Sequence, residues 1–216
     1  DMKIIKRDAM SGKPIAGTVL SVKSVTSSYS TSVTTGTDGS ATLSAIPAGV
    51  YVVREESVPE PYIVTNTEQT VALRPGKTSE VTFVDYEKPG LEILKKNIAT
   101  GEPIEGVTYL IEQIDGSYST SATTDSVGRI FLDSIPVGSY RITEKNVPSH
   151  VILSEIPQEV YLEAGCTRTV TFFNAVKPSL TILKRNSVTG DPLSNAKFHI
   201  YYGSDNTTTG EINDLG

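Results

Sequence analysis

The sequence contains no tryptophan, one cysteine and two histidines among its 216 residues, and no span resembles a membrane helix. Because Cys166 is alone, it cannot form an intrachain disulfide, and any covalent cross-link within the chain must use other chemistry. His150 and His199 have no cysteine or second histidine at metal-ligand spacing. We therefore predict no metal site and no cofactor.

Positive charge is also scarce. The chain has 19 Lys and Arg against 25 Asp and Glu, a formal net charge of −6, whereas nucleic-acid-binding proteins concentrate basic residues on one face. No glycine-rich phosphate loop follows a predicted strand, and no serine has a plausible His–Asp pair. These absences disfavour a nucleic-acid partner, nucleotide chemistry and hydrolysis.

Strand-forming and turn-forming residues make up most of the sequence. Short alternating runs rich in Val, Thr, Ser and Tyr are separated by 12 Pro and 17 Gly, and helical spacing is missing. Over the first part of the chain we predict strands near 2–8, 17–25, 30–35, 40–45, 50–56, 62–73 and 78–85. This pattern predicts an all-β fold, a two-sheet sandwich of about seven strands.

The pattern repeats along the chain. Lys6, Lys95 and Lys184 lie in the related segments IIKRD, ILKKN and ILKRN, and they are 89 residues apart, the difference between 95 and 6 and between 184 and 95. Lys-Pro pairs at 88–89 and 177–178 mark the boundaries. We predict a first repeat at 1–88, a second at 89–177, and the N-terminal part of an incomplete third at 178–216. The short proline-containing linkers favour a semi-stiff rod.

The alternation also indicates which polar residues point inward. Residues two apart on a strand share a face, and in each complete repeat a lysine, a glutamate and an Asp or Asn follow two apolar residues of the same row. The residues predicted to be buried are Lys6, Glu55 and Asp85 in the first repeat, and Lys95, Glu144 and Asn174 in the second. Burying charges costs several kcal/mol unless they pair, and the alternation alone leaves a salt-bridged cluster near the rim as one explanation.

The segments ILKKN, GEPIEG, PVGSYRITEKNVP and VTFFN of the second repeat, with their counterparts in the first, resemble the Cna-B and SpaA-like domains of Gram-positive adhesins and pilins. The resemblance implies immunoglobulin-like or prealbumin-like sandwiches on an extracellular, cell-wall-anchored protein. It also implies isopeptide bonds between first-strand lysines and last-strand acceptors, each assisted by a buried glutamate. The roles fall on Lys6, Asp85 and Glu55, and on Lys95, Asn174 and Glu144, with Lys184 as an unpaired equivalent.

The residue types suit this chemistry. Desolvation lowers the pKa of a buried lysine and raises that of a buried carboxyl, so a neutral amine can be held beside a protonated acid that shuttles protons. Such a reaction is single-turnover and autocatalytic, which is not enzymatic turnover.

We expect stalk or spacer repeats of a surface adhesin or pilin, with neighbouring repeats as partners and no membrane insertion of this fragment. A module that binds a host matrix protein or glycan, through Tyr29, Tyr118, Tyr201 and Tyr202 or nearby loops, is the alternative. A hydrolase of transthyretin-like fold is a remote third, because active-site histidines are missing.

Overall fold

The computed structural model describes residues 1–65, 67–202 and 207–211, with residues 201–202 and 207–211 described by their backbone. The first repeat forms eight strands. They are β1 (Met2–Asp8), β2 (Val19–Ser24), β3 (Ser30–Thr34), β4 (Ser40–Leu43), β5 (Gly49–Ser57), β6 (Tyr62–Ile63), β7 (Glu68–Leu73) and β8 (Ser79–Glu87).

These strands form two four-stranded sheets, ordered β4-β1-β8-β6 and β3-β2-β5-β7. The first and last long strands, β1 and β8, pair in parallel, with Lys6 opposite Phe83 and Asp8 opposite Asp85. Every other strand pair in the two sheets is antiparallel. The parallel pair places the beginning and the end of the repeat side by side in one sheet.

The second repeat reproduces this arrangement with seven strands. They are β9 (Gly90–Asn97), β10 (Thr108–Gln113), β11 (Ser119–Thr123), β12 (Arg129–Leu132), β13 (Gly138–Asn146), β14 (Gln158–Leu162) and β15 (Thr167–Asn174). The sheets are ordered β12-β9-β15 and β11-β10-β13-β14, and β9 again pairs in parallel with β15. An isolated bridge between Val151 and Val176 stands where β6 pairs with β8 in the first repeat.

Each repeat has its own apolar core between the sheets. The first is built around Met2, Ile4, Tyr51, Val53 and Phe83, and the second around their counterparts. In both, a buried tyrosine of the fifth strand donates its hydroxyl hydrogen to a proline carbonyl four residues earlier, at 2.8 Å. This hydrogen bond explains why the Pro-x-Gly-x-Tyr segment recurs, since it satisfies the phenol inside an apolar core. The all-β sandwich prediction is confirmed.

One strand prediction is wrong in detail. The single strand expected at 62–73 is divided into β6 and β7, because β6 pairs with β8 in one sheet and β7 pairs with β5 in the other. The chain therefore crosses from sheet to sheet between residues 63 and 68. The Val and Thr residues of this crossing have high strand propensity, and propensity alone does not detect a change of sheet.

The described residues from Lys177 onward form a separate compact unit. Its strands β16 (His199–Tyr202) and β17 (Thr207–Glu211) pair antiparallel. The segment around Lys184 matches β1 and β9 in sequence, yet among the described residues no strand forms there, and Leu180 and Leu183 are exposed. The following turn does keep the repeat pattern, since Arg185 bridges Pro192 just as Arg7 bridges Pro14 and Lys96 bridges Pro103.

No helix long and apolar enough to cross a membrane occurs in the described residues. Nor do those residues include a group of three or more His, Cys, Asp and Glu side chains that could hold a metal ion. Cys166 has a free thiol and is partly buried.

Candidate functional site

In the first repeat, the parallel strands and the opposite sheet bring together three buried ionisable side chains. Lys6 on β1 and Asp85 on β8 are completely buried, and Glu55 on β5 is 4% exposed. Lys6 Nζ lies 2.7 Å from Glu55 Oε1 and 2.7 Å from Asp85 Oδ2. Both distances are within the range of an ion pair. The amine is therefore in direct contact with two carboxyl groups.

The two carboxyls of this site differ in their other contacts. Asp85 Oδ1 accepts hydrogen bonds from the Thr65 backbone N–H at 2.9 Å and from the Thr65 hydroxyl at 3.0 Å. Burial raises the pKa of Glu55, and the negative charge of Asp85 adds to this, while Lys6 opposes it. The hydrogen bonds from Thr65 hold the carboxyl of Asp85 in one orientation.

The second repeat holds Lys95, Glu144 and Asn174 at the equivalent positions, all buried. Lys95 Nζ donates to Glu144 Oε2 at 2.6 Å, and Asn174 Nδ2 donates to Glu144 Oε1 at 2.5 Å. Glu144 Oε1 also accepts the Ser154 backbone N–H at 3.1 Å. The glutamate therefore lies between the amine and the amide and contacts both.

Burial lowers the pKa of Lys95, although its contact with Glu144 opposes the shift. The rings of Tyr109 and Phe172 lie 5.9 Å and 5.8 Å from Lys95 Nζ and pack against each other at 4.8 Å between centroids. Asn174 Oδ1 is buried and has no hydrogen-bond partner among the described residues. An apolar setting of this kind favours the neutral amine, which is the nucleophilic form.

Sequence reasoning predicted that the six polar residues of the two sites are buried, but it missed three contacts. Tyr109 donates its hydroxyl hydrogen to Glu144 Oε2 at 3.2 Å, and burial raises the pKa of this phenol. Thr65 and Ser154 occupy equivalent positions in the two repeats, since they are 89 residues apart. Thr65 and Ser154 could have been found in the sequence, because a residue with a side-chain hydroxyl recurs at this position of the repeat. Tyr109 could have been found because its phenol lies on an inward-facing row, at the position where the first repeat has Leu20.

A glycine is required behind each lysine. Gly39 and Gly128 have φ of 72° and 68°, and a Cβ on either would lie 2.5 Å from the carbonyl oxygen of Lys6 or Lys95. Each glycine carbonyl accepts the lysine backbone N–H at 2.7 Å. The close approach fixes the backbone of the lysine and, with it, the direction of the side chain.

Lys184, the third lysine of the series, is exposed. Two of the four tyrosines named for the alternative binding function pack on the cores of the repeats. Tyr29 and Tyr118 pack edge-on against the buried rings of Tyr51 and Tyr140, at 5.8 Å and 5.9 Å. The side chains of Tyr201 and Tyr202 lie outside the described residues.

The fold and the site together define a class of protein: tandem prealbumin-like β-sandwiches, each with a lysine of its first long strand buried against a glutamate, and with a buried Asp or Asn of its last strand in the same cluster. The family model of the SpaA prealbumin-like fold domain matches residues 1–87 and again 89–176. The chain belongs to this family.

Several solved structures are similar in fold. The Bacillus anthracis TIE protein is 22% identical, with 82% of this chain and 33% of that chain covered and a TM-score of 0.43. The minor pilin GBS52 of Streptococcus agalactiae is 18% identical, with 85% and 99% covered and a TM-score of 0.41. The shaft pilin SpaA of Lactobacillus rhamnosus GG is 17% identical, with 83% and 98% covered and a TM-score of 0.47. The chain thus spans about a third of the TIE protein, and no curated protein matches it.

Proposed function

We propose that the chain is a structural spacer from a Gram-positive surface protein, a pilin or an adhesin stalk, whose two complete repeats cross-link themselves. In the first repeat Lys6 condenses with Asp85, and in the second Lys95 condenses with Asn174. The observation that carries the proposal is the contact of Lys6 Nζ with Asp85 Oδ2 and Glu55 Oε1, at 2.7 Å each, where all three side chains are excluded from water.

Each reaction needs a neutral amine, an activated carbonyl and a carrier for protons. The amine attacks Cγ of the acceptor, the C–N bond forms, and the C–O bond of Asp85 or the C–N bond of Asn174 breaks. The glutamate takes a proton from the attacking nitrogen and delivers one to the leaving group, so Asp85 releases water and Asn174 releases ammonia. Because folding alone holds the reactants together, no further catalyst is required.

The contacts around the two glutamates support these roles. The raised pKa of Glu55 favours a carboxyl that can donate its proton to Asp85. Glu144 contacts both Lys95 Nζ and Asn174 Nδ2, so the attacking amine and the leaving nitrogen are both within hydrogen-bond distance of one proton-carrying side chain. A purely structural ion cluster is the competing explanation, and it predicts no change of mass.

Intact-mass measurement of the denatured protein tests the proposal. The mass should be lower than that of the sequence by one water and one ammonia, and proteolysis should give branched peptides joining Lys6 to Asp85 and Lys95 to Asn174. Lys184 should remain in a linear peptide. An uncorrected sequence mass with no branched peptide would show that both sites are ion clusters.

A further inference from the structure

Thr65 brings two hydrogen-bond donors to one oxygen of the acceptor in the first repeat. Its backbone N–H and its hydroxyl lie 2.9 Å and 3.0 Å from Asp85 Oδ1, whereas Lys6 Nζ lies 2.7 Å from Asp85 Oδ2. Thr65 reaches the acceptor from the segment that crosses between the sheets, directly after β6 has paired with β8. The two oxygens of Asp85 therefore have different neighbours, donors beside one and the amine beside the other.

These neighbours indicate different fates for the two oxygens. Attack of a neutral amine on Cγ moves an electron pair onto one oxygen, while the other takes a proton and leaves as water. Negative charge is stabilised most on the oxygen that faces preorganised N–H and O–H donors. The leaving oxygen must instead lie near the proton carrier, and Glu55 Oε1 and Asp85 Oδ2 contact the same Lys6 amine. Oδ1 is therefore the oxygen that gains the charge.

The second repeat lacks such donors at its acceptor. Asn174 Nδ2 donates to Glu144 Oε1 at 2.5 Å, so the nitrogen that leaves as ammonia faces the proton carrier. Asn174 Oδ1 is buried and has no hydrogen-bond partner among the described residues. The Ser154 backbone N–H, equivalent to that of Thr65, donates to Glu144 Oε1 instead. Donors to the oxygen that gains charge are thus a feature of the first repeat, whose acceptor is a carboxyl.

The Thr65 hydroxyl has a contact that changes as the charge develops. Its single hydrogen has two acceptors within reach, the Val84 carbonyl oxygen at 2.9 Å and Asp85 Oδ1 at 3.0 Å. Before the attack these two oxygens compete for the hydrogen, whereas a negatively charged Oδ1 is the stronger acceptor. The hydrogen bond to Oδ1 is therefore stronger in the transition state than before it, which is the condition for an interaction to accelerate a reaction.

We propose that Thr65 is a catalytic residue of the first repeat, and that its N–H and hydroxyl stabilise the oxyanion that forms on Asp85 Oδ1. Asp85 reacts as the neutral acid with its proton on Oδ2. Lys6 Nζ attacks Cγ, and the electron pair of the C=O bond moves to Oδ1. Glu55 carries the proton lost by the nitrogen to the Oδ2 hydroxyl, which leaves as water, and the pair on Oδ1 re-forms the C=O bond. Oδ1 thus becomes the carbonyl oxygen of the isopeptide. The inference rests on the proposed bond between Lys6 and Asp85.

The rate of cross-linking in variants of the full chain tests the inference. Thr65→Val removes the hydroxyl at an exposed position and keeps both the backbone N–H and the branched shape. In freshly synthesised protein quenched at intervals, the branched peptide joining Lys6 to Asp85 should form at least about tenfold more slowly, since loss of one oxyanion donor slows enzymes by about 100–1,000-fold. Thr65→Ser restores the hydroxyl and should recover most of the wild-type rate.

Two controls accompany these variants. The branched peptide joining Lys95 to Asn174 should form at the wild-type rate in every sample. Ser21→Ala removes another exposed hydroxyl of the first repeat, one that donates to Glu56 Oε1 at 2.6 Å, and should leave both rates unchanged.

The outcomes separate a catalytic role of Thr65 from a structural one. In the Glu55→Gln background, where no bond forms in the first repeat, Thr65→Val should melt no more than about 8 °C below its parent, the effect of one hydrogen bond. A larger fall would show that the hydroxyl maintains the fold and would overturn the inference. A wild-type rate in Thr65→Val, or a slow rate in Thr65→Ser, would overturn the catalytic role while leaving the cross-link in place. Absence of the branched peptide from the wild type would refute the cross-link and this role together.

Discussion

Replacing Glu144 should leave Lys95 and Asn174 adjacent but unjoined. The most informative change is Glu144→Gln, because the amide keeps the size of the side chain and an oxygen acceptor for Lys95 but cannot carry a proton. Glu144→Ala should also prevent the bond. Glu144→Ala also removes the carboxylate that pairs with the buried amine of Lys95. Breaking a buried ion pair by itself destabilises a protein by about 3–5 kcal/mol.

The cost of the missing bond follows from the length of chain that it closes. The span from Lys95 to Asn174 is about 79 residues, for which the loop-entropy argument used for disulfides gives roughly 4–5 kcal/mol. At about 4–8 °C per kcal/mol for a domain of this size, the melting transition of the second repeat should fall by roughly 20–35 °C. The first repeat should keep its cross-link and its melting temperature.

Intact mass and differential scanning calorimetry measure the two effects in the same samples. The Glu144→Gln protein should retain the loss of water from the first repeat and lack the loss of ammonia. Glu159→Gln is the control, since Glu159 forms an exposed pair with Arg141 at 2.9 Å and such pairs contribute about 1 kcal/mol or less. If Glu144→Gln loses ammonia as the wild type does, Glu144 is not the proton carrier. If it is unjoined yet melts with the wild type, the stability argument is wrong.

Three further predictions concern the second repeat. Burial lowers the pKa of Lys95, so the neutral fraction of its amine grows as the pH rises toward that pKa. Cross-linking of freshly synthesised protein, measured by mass spectrometry of quenched samples, should therefore become faster from mildly acidic to mildly alkaline pH. A rate that falls over this range would contradict the prediction. Tyr109→Phe removes a hydrogen bond to Glu144 and should slow bond formation in the second repeat alone, costing about 1 kcal/mol in thermal melts; an unchanged rate would show that the phenol has no part in the reaction. Gly128→Ala should destabilise the second repeat more than Gly101→Ala does. Both glycines have positive φ, but only at residue 128 would the added Cβ collide with backbone atoms. Equal melting temperatures of the two variants would show that the close approach of Gly128 to Lys95 does not matter for stability.

The inward rows were predictable from the sequence because strand periodicity fixes direction. Lys6, Glu55 and Asp85 each follow apolar residues of the same parity, and each is buried in the structure. The parallel pairing of β1 with β8 could not be predicted from the residues, since alternation describes each strand separately and says nothing about its neighbour. The site depends on both features. The alternation along each strand directs the three side chains inward, and the parallel pairing of β1 with β8 brings Lys6 and Asp85 together.

The hydrogen-bond pattern within the two sites could not be predicted from the sequence. The backbone N–H at the position shared by Thr65 and Ser154 donates to Asp85 in the first repeat and to Glu144 in the second. An aspartate offers two acceptor oxygens to this donor, whereas Asn174 offers one and directs its amide hydrogens at the glutamate. The exchange of one atom in the acceptor thus redistributes the donors around it, and repeat alignment alone cannot predict that outcome.

The position of the proposed bonds bears on how such repeats would carry force. Asp85 lies three residues before Lys88 and Lys95 lies six residues after Pro89. Once both bonds form, tension enters the first repeat at β1, passes through the Lys6–Asp85 bond to the end of β8, and leaves through the junction toward Lys95. The strands β2–β7 then lie in a covalent loop that bears no load, so stretching should not unfold them. Breaking the array would require breaking a covalent bond, whereas an ion cluster at the same place would yield at the much lower force that separates two paired strands.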